Sequence, residues 1–175
     1  MLASIASRKA SALAAALQSV LAYYGIAVRQ DLLAAALQAD PEQGTNYHTM
    51  AAYAQGQGLR VQVCLDMRLE ELQQLLDAGQ PVIVALQAWA DDPSRYTDAW
   101  DDGHYAVAVG YDEDRVYFRD PSTLGNYTYV PTVPFLERWH DMYLEAGAPV
   151  RLVHVGLVVA GERPLYDPAV ILPME

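Results

Sequence analysis

The sequence predicts an α+β domain, with helices gathered at the front of the chain and an antiparallel sheet behind them. Three observations predict it. Apolar residues of the first third recur at helical spacing, those after Gly58 alternate or run in short apolar blocks, and an acidic turn joins two such blocks into a hairpin.

Leu13, Leu17, Val20, Leu21 and Tyr24 share one helix face, and Gly25 follows as a stop. Asp31 to Leu37 and His48 to Gln57 read as two further short helices, the second ended by Gly58. Strands are expected at Val61–Cys64, Val82–Gln87, Tyr105–Tyr111, Val116–Arg119, Tyr127–Val130 and Leu152–Val159, with helices at Leu69–Asp77 and Val133–Leu144 between them. Trp139 and His140 are placed in that last helix.

With 175 residues, the chain is expected to form one domain over 1–175, and a chain of this size buries about 70% of its unfolded surface without a metal or disulfide staple. A single cysteine excludes an internal disulfide framework. No unbroken apolar run reaches membrane-spanning length, so no integral membrane segment is expected. Arg8-Lys9 ahead of an alanine-rich run imitates a signal sequence, but Gln18 and Ser19 interrupt the run and a structural helix is the reading preferred; the expected location is the cytoplasm. The formal charge of −11 repels phosphate backbones and argues against a nucleic-acid partner. Asp91, Asp92, Asp98, Asp101 and Asp102 flank Trp89, Tyr96 and Trp100 without the ligand ladder of an EF-hand, and read as a solvated rim. His48 and His154 offer no paired ligand spacing, so neither metal nor cofactor is assigned. The chain has 12 tyrosines against two phenylalanines, and those on the hairpin and at Tyr127 and Tyr129 read either as the wetter face of a sheet or as the wall of a peptide groove.

The most informative stretch runs from Gly103-His104-Tyr105 to Arg119-Asp120-Pro121. If the Asp112-Glu113-Asp114 turn sets Tyr111 opposite Arg115, His104 and Asp120 leave the same sheet face as diagonal neighbours, roughly 7–8 Å apart at their backbones. A turn of two or four residues would put them on opposite faces. In the first arrangement the carboxylate accepts one ring N–H, fixes the tautomer and leaves the other nitrogen to act on a thiol. A strand-entry histidine and an Asp-Pro turn opener are the plainer account of the same residues.

The run GHYAVAVGYDEDRVYFRDPS resembles the histidine–aspartate hairpin of the bacteriocin-leader peptidases, family thirty-nine of the cysteine peptidases, whose fold is papain-like. Ala15 to Gly25 resembles the helix after that family's catalytic cysteine, Leu69–Leu72 through Gly79–Val84 its helix and central strand, and Phe135–Trp139 a later helix. The resemblance spans about 15–161, leaving 1–14 divergent and 162–175 as a tail. It implies N-terminal helices packed on a C-terminal antiparallel sheet, with a peptide-binding cleft between them.

The departure lies at the site itself. Counting back from Gly25, the family's cysteine at the helix start falls on Ala12, and its oxyanion-hole glutamine falls on Ala6. A methyl cannot form a thiolate, so nucleophilic attack has no agent there. Cys64 reads as a small core hydrophobe and Ser11 as a helix N-cap rather than substitutes. Three readings remain: a catalytically inactive peptidase-like domain binding a peptide in the remnant cleft, with an export-system association; an active thiol peptidase whose true N-terminus, with Gln and Cys, is missing from this chain; and a non-catalytic interaction module. The first is favoured for the chain as written. In the second, His104 would be general base, Asp120 its orienter, and a cysteine at position 12 the nucleophile.

Overall fold

The computed structural model describes residues 2–37, 47–123, 126–145 and 147–162. Helices α1 (Leu2–Tyr23), α2 (Gln30–Ala36) and α3 (Tyr47–Gly56) come first. They are followed by β1 (Arg60–Cys64), α4 (Leu69–Asp77), β2 (Val82–Gln87), β3 (Gly103–Tyr111), β4 (Arg115–Arg119) and β5 (Tyr127–Pro131). The chain continues through α5 (Thr132–Arg138), β6 (His140–Glu145), β7 (Ala148–Val153) and β8 (Gly156–Ala160). Six strands form one sheet in the order β1-β8-β2-β3-β4-β5, every pair antiparallel, and β6 pairs with β7 as a separate ribbon. The fold class is the expected one: mixed helices and antiparallel sheet.

Alternation along the central strands builds two cores. Ile83, Ala85, Tyr105, Val107, Leu157 and Val159 face Leu13, Leu17, Val20 and Leu21 of α1 with Leu33 of α2 and Met50 of α3. Val82, Val84, Leu86, Ala106, Ala108 and Phe118 face the other way, against Leu72 of α4 and Phe135 of α5 with Trp139 beyond it. Helices therefore cover both faces, which is why β2 is buried along its whole length and reads as an unbroken apolar block. Gly25 ends α1 as expected: at φ 81° it allows Ile26 N–H to reach Leu21 O at 2.9 Å, the closing bond of a Schellman motif.

Three expectations need correction. First, α1 does not begin near Ala12 but runs through it from Leu2, so position 12 lies in mid-helix. Second, the helix expected over Val133–Leu144 stops at Arg138, and His140 opens β6. Trp139 leaves helical geometry at ψ 64°, stacks on Phe135 at 4.8 Å, and donates its indole N–H to Val155 O at 2.9 Å. Full pairing of β6 with β7 then overrides the local helical preference. Third, the strand expected over Leu152–Val159 breaks at His154, whose φ is 46°, because the chain passes there from the ribbon into the main sheet. Met67 N–H to His154 O and His154 N–H to Trp139 O hold the break.

The hairpin register also differs from the expectation, in two ways that cancel. Tyr111 pairs with Val116, not Arg115, leaving four residues in the connection. On its own that would separate His104 and Asp120 to opposite faces. A β-bulge intervenes: Ala108 pairs with Phe118 and Gly110 with Tyr117, so Val109 is an extra residue. Below the bulge Val107 pairs with Arg119, which brings Asp120 beside Ala106, on the face from which His104 also emerges.

Deleting Val109 should make the hairpin regular while keeping Ala108 opposite Phe118. The variant is expected to fold and to retain the His104–Asp120 hydrogen bond, read from the histidine ring nitrogens in a long-range proton–nitrogen NMR spectrum. Loss of that bond would contradict the register described.

Candidate functional site

The end of β2 positions the start of β3. Gln87 is fully buried; its carboxamide oxygen accepts Asp102 N–H at 2.9 Å and its NH2 donates to His140 O at 3.0 Å. Ala88 N–H donates to Asp102 O at 3.0 Å, and the pairing of Leu86 with His104 continues the ladder. His104 thus enters the strand on a frame bonded from three directions.

Its ring Nε2 lies 2.9 Å from Asp120 Oδ1, with both side chains more than nine-tenths buried. Asp120 is acceptor to two more groups: Ser122 N–H reaches Oδ1 at 2.7 Å, and the indole N–H of Trp89 reaches Oδ2 at 3.1 Å. The first is the bond of an Asx turn, which Asp-Pro-Ser favours. Burial works to raise the Asp120 carboxyl, yet the hydrogen bond and charge of His104, with the bonds from Ser122 and Trp89, outweigh it and hold the group below its ordinary value. A carboxylate here fixes the Nε2–H tautomer and leaves Nδ1 as the nitrogen with a lone pair. Trp89 stands edge-on to the imidazole, ring centres 6.5 Å apart, and its own φ is 62°, a left-handed conformation that the bond to Asp120 helps to hold.

The pair borders a cavity of about 200 Å³ walled by Trp89, Tyr96, Phe118, Tyr129 and Arg138. Tyr127 instead lines a larger groove of about 900 Å³ on the α1 side of the sheet, with Tyr23, Val28, Val109 and Arg119. The tyrosines of β5 therefore serve as groove walls as well as exposed surface.

The remaining residues singled out by sequence do not join the pair. Ala12 is buried in the middle of α1 and is not among the residues lining the cavity. Ala6 is on the same helix, its side chain outside the described residues. Ser11 is no N-cap: it is exposed in mid-helix, where the Gln30 NH2 donates to its hydroxyl at 3.3 Å. Cys64 ends β1, the far edge strand, with β8 and β2 between it and β3. Burial pushes its thiol up, with Glu71 adding to the effect and a bond to Gln62 opposing it. Asp91, Asp92, Asp98 and Asp101 are exposed, and among the described residues no group of three His, Cys, Asp or Glu is placed to hold a metal ion. His48 packs on Tyr47 and His154 on Trp139, each ring against ring. No helix among the described residues is long and apolar enough to cross a membrane.

Sequence reasoning missed Gln87, Trp89, Ser122 and Arg138. Ser122 was visible as the third member of Asp-Pro-Ser; Trp89 and Arg138 carry no local signal, since the loop and helix that bring them in are set by tertiary packing.

The model of the Peptidase_C39 like family matches residues 13–147. The fold is similar to that of the peptidase domain of Streptococcus ComA, a bi-functional ABC transporter involved in a quorum sensing pathway. That likeness has a TM-score of 0.63 at 17% identity and covers 89% of this chain and 93% of the other. It is also similar to a protein from Bacillus anthracis described as a C39-like peptidase, with a TM-score of 0.57 at 19% identity and 89% of each chain covered. No curated protein matches the chain.

Because the Asp120 carboxyl is held below its unfolded value, its contribution to stability is complete above about pH 4 and is lost as pH falls through the folded value. Denaturant unfolding at a series of acidic pH values should show that loss, and Asp120→Asn should lower stability at neutral pH while flattening the acid limb below about pH 4. An unchanged acid limb would remove Asp120 as its source.

Proposed function

Since the chain belongs to the Peptidase_C39 like family, we propose that it is a catalytically silent peptidase-like domain that holds an extended peptide in the remnant cleft beside His104 and Asp120. One observation carries the reading: the orienting pair is intact, buried and bonded, while position 12 holds a methyl inside a continuous helix. Hydrolysis of an amide by this family's chemistry needs a thiolate, a base and an oxyanion hole. Of these only the base and its carboxylate have a counterpart here. What the pair still does is brace the cleft: Asp120 ties β3, the Trp89 segment and the turn after β4 to one carboxylate.

The unit proposed is one domain over 1–175, supported by the pairing of the first strand, β1, with the last, β8, and by the packing of α1 on that sheet. The partner proposed is a peptide or protein segment in an export system, in the cytoplasm. The ground for the export association is the likeness to the peptidase domain of ComA, itself a transporter.

The test is a fluorescein-labelled hexapeptide library followed by anisotropy and by mass spectrometry. Binding without cleavage is expected, with His104→Ala weakening binding by about tenfold, or ~1.4 kcal/mol. Cleavage of any member by the unaltered chain would overturn the reading. In a Cys64→Ser background, Ala12→Cys should be labelled by iodoacetamide no faster than an ordinary buried thiol, and equally in the presence or absence of His104; acceleration that depends on His104 would return the site to thiol chemistry.

A further inference from the structure

Arg138 is the only arginine or lysine among the described residues lining the cavity beside His104 and Asp120. It ends α5, with its guanidinium carbon over the Tyr96 ring at 5.0 Å. Its Nε is buried without a hydrogen-bond partner, and among the described residues Arg138 forms no ion pair. Burial pulls its pKa below the usual arginine value, with the Tyr96 phenol pulling the other way. A guanidinium lying over an aromatic ring keeps its in-plane N–H edge for an acceptor, and that edge matches a carboxylate two bonds at a time.

The acceptor does not come from the cavity itself. Asp120 is the carboxylate there, and both its oxygens already accept bonds, from His104 and Ser122 on one side and Trp89 on the other. The chain carries 22 acidic residues against 11 basic ones, yet none of those described pairs with Arg138. Besides His104, Asp120, Thr128 and the aromatic residues, the cavity walls are apolar, formed by Leu86, Ala106 and Val130. At about 200 Å³, the cavity is below the roughly 300–1,000 Å³ of a drug-sized site, a size that suits the end of an extended peptide lying in the cleft.

We propose that this cavity receives the C-terminal carboxylate of a peptide, gripped by Arg138, with the last side chain packed against Phe118 and Leu86. The inference rests on the peptide-binding reading above and names the end of the peptide that the site selects. Arg138 acts as a specificity residue, and no bond is made or broken.

The experiment uses the full chain with two fluorescein-labelled hexapeptide pools of the same sequences, one ending in a free carboxylate and one amidated. The free-acid pool should bind about tenfold more tightly or better, the span expected of a charge-assisted bidentate contact. Arg138→Gln should erase the difference, and Arg138→Lys, which keeps the charge but not the fork, should retain part of it. Circular dichroism melts of both variants establish that they are folded. Equal binding of the two pools would overturn the inference while leaving peptide binding in place, as would a difference that survives Arg138→Gln. Amidated peptides ending in Asp or Glu that bind as well as neutral free acids would assign Arg138 to a side-chain carboxylate and overturn the terminal reading. If neither pool binds, the peptide-binding reading falls and this inference with it.

Discussion

Whether Val109 is bulged out of β3 or paired within it decides whether this site exists. The connection between β3 and β4 holds four residues, and in an uninterrupted ladder Asp120 would then stand opposite Val107, on the face away from His104. The bulge at Val109 moves Asp120 one position along, beside Ala106. From there a 2.9 Å bond to the imidazole is geometrically available. A bulge disrupts the ladder locally and leaves its extra residue unpaired; Val109, accordingly, is exposed to 40% and abuts the groove on the α1 side. The contacts of Asp120 with His104 and Trp89 presuppose this register.

Given that register, the site is held by satisfied polar groups rather than by hydrophobic contact alone. A buried carboxylate is unfavourable unless it is bonded, and Asp120 accepts from a ring nitrogen, a backbone N–H and an indole N–H. Gln87 does the same service at the strand entry, joining β2, the segment before β3 and the first residue of β6 through one side chain. These bonds cross between elements that the two apolar cores stabilise separately, so they fix the relative placement of those elements. The left-handed Trp89 is a consequence, its strain offset by the indole's bond to the same carboxylate.

Much of this arrangement was legible in the sequence, for identifiable reasons. α4 and β2 coincide with their expected bounds because an amphipathic nonamer and a five-residue apolar block, Val82–Leu86, each admit one reading. His104 and Asp120 were legible as a pair because Gly-His begins an alternating run and Asp-Pro ends its partner. The path by which they meet was not: the Gly110 that hinted at a bulge was read as an ordinary strand residue. His140–Leu144 were misread because their helical propensity is overridden by ribbon partners five to thirteen positions downstream, and the passage from that ribbon to the main sheet hid the break at His154. Arg138 was invisible in the same way, since its role depends on where α5 lands.

The α1 helix is why the loss proposed at position 12 would reach beyond a sulfur atom. A nucleophile at a helix N-terminus benefits from unbonded N–H groups and the positive end of the macrodipole, and the same N–H groups can serve an oxyanion. In mid-helix each N–H is committed to the carbonyl four residues back, and α1 extends ten residues before Ala12. If position 12 is the family's nucleophile position, as proposed, then nucleophile, dipole and backbone donors are absent together, and a thiol alone would restore neither of the other two. The histidine–aspartate pair is independent of that helix terminus: its partners are the Asx turn after β4, the Trp89 segment and the end of β2. In the reading proposed above, the pair is kept for what it braces, and the cleft it braces holds a peptide without cutting it.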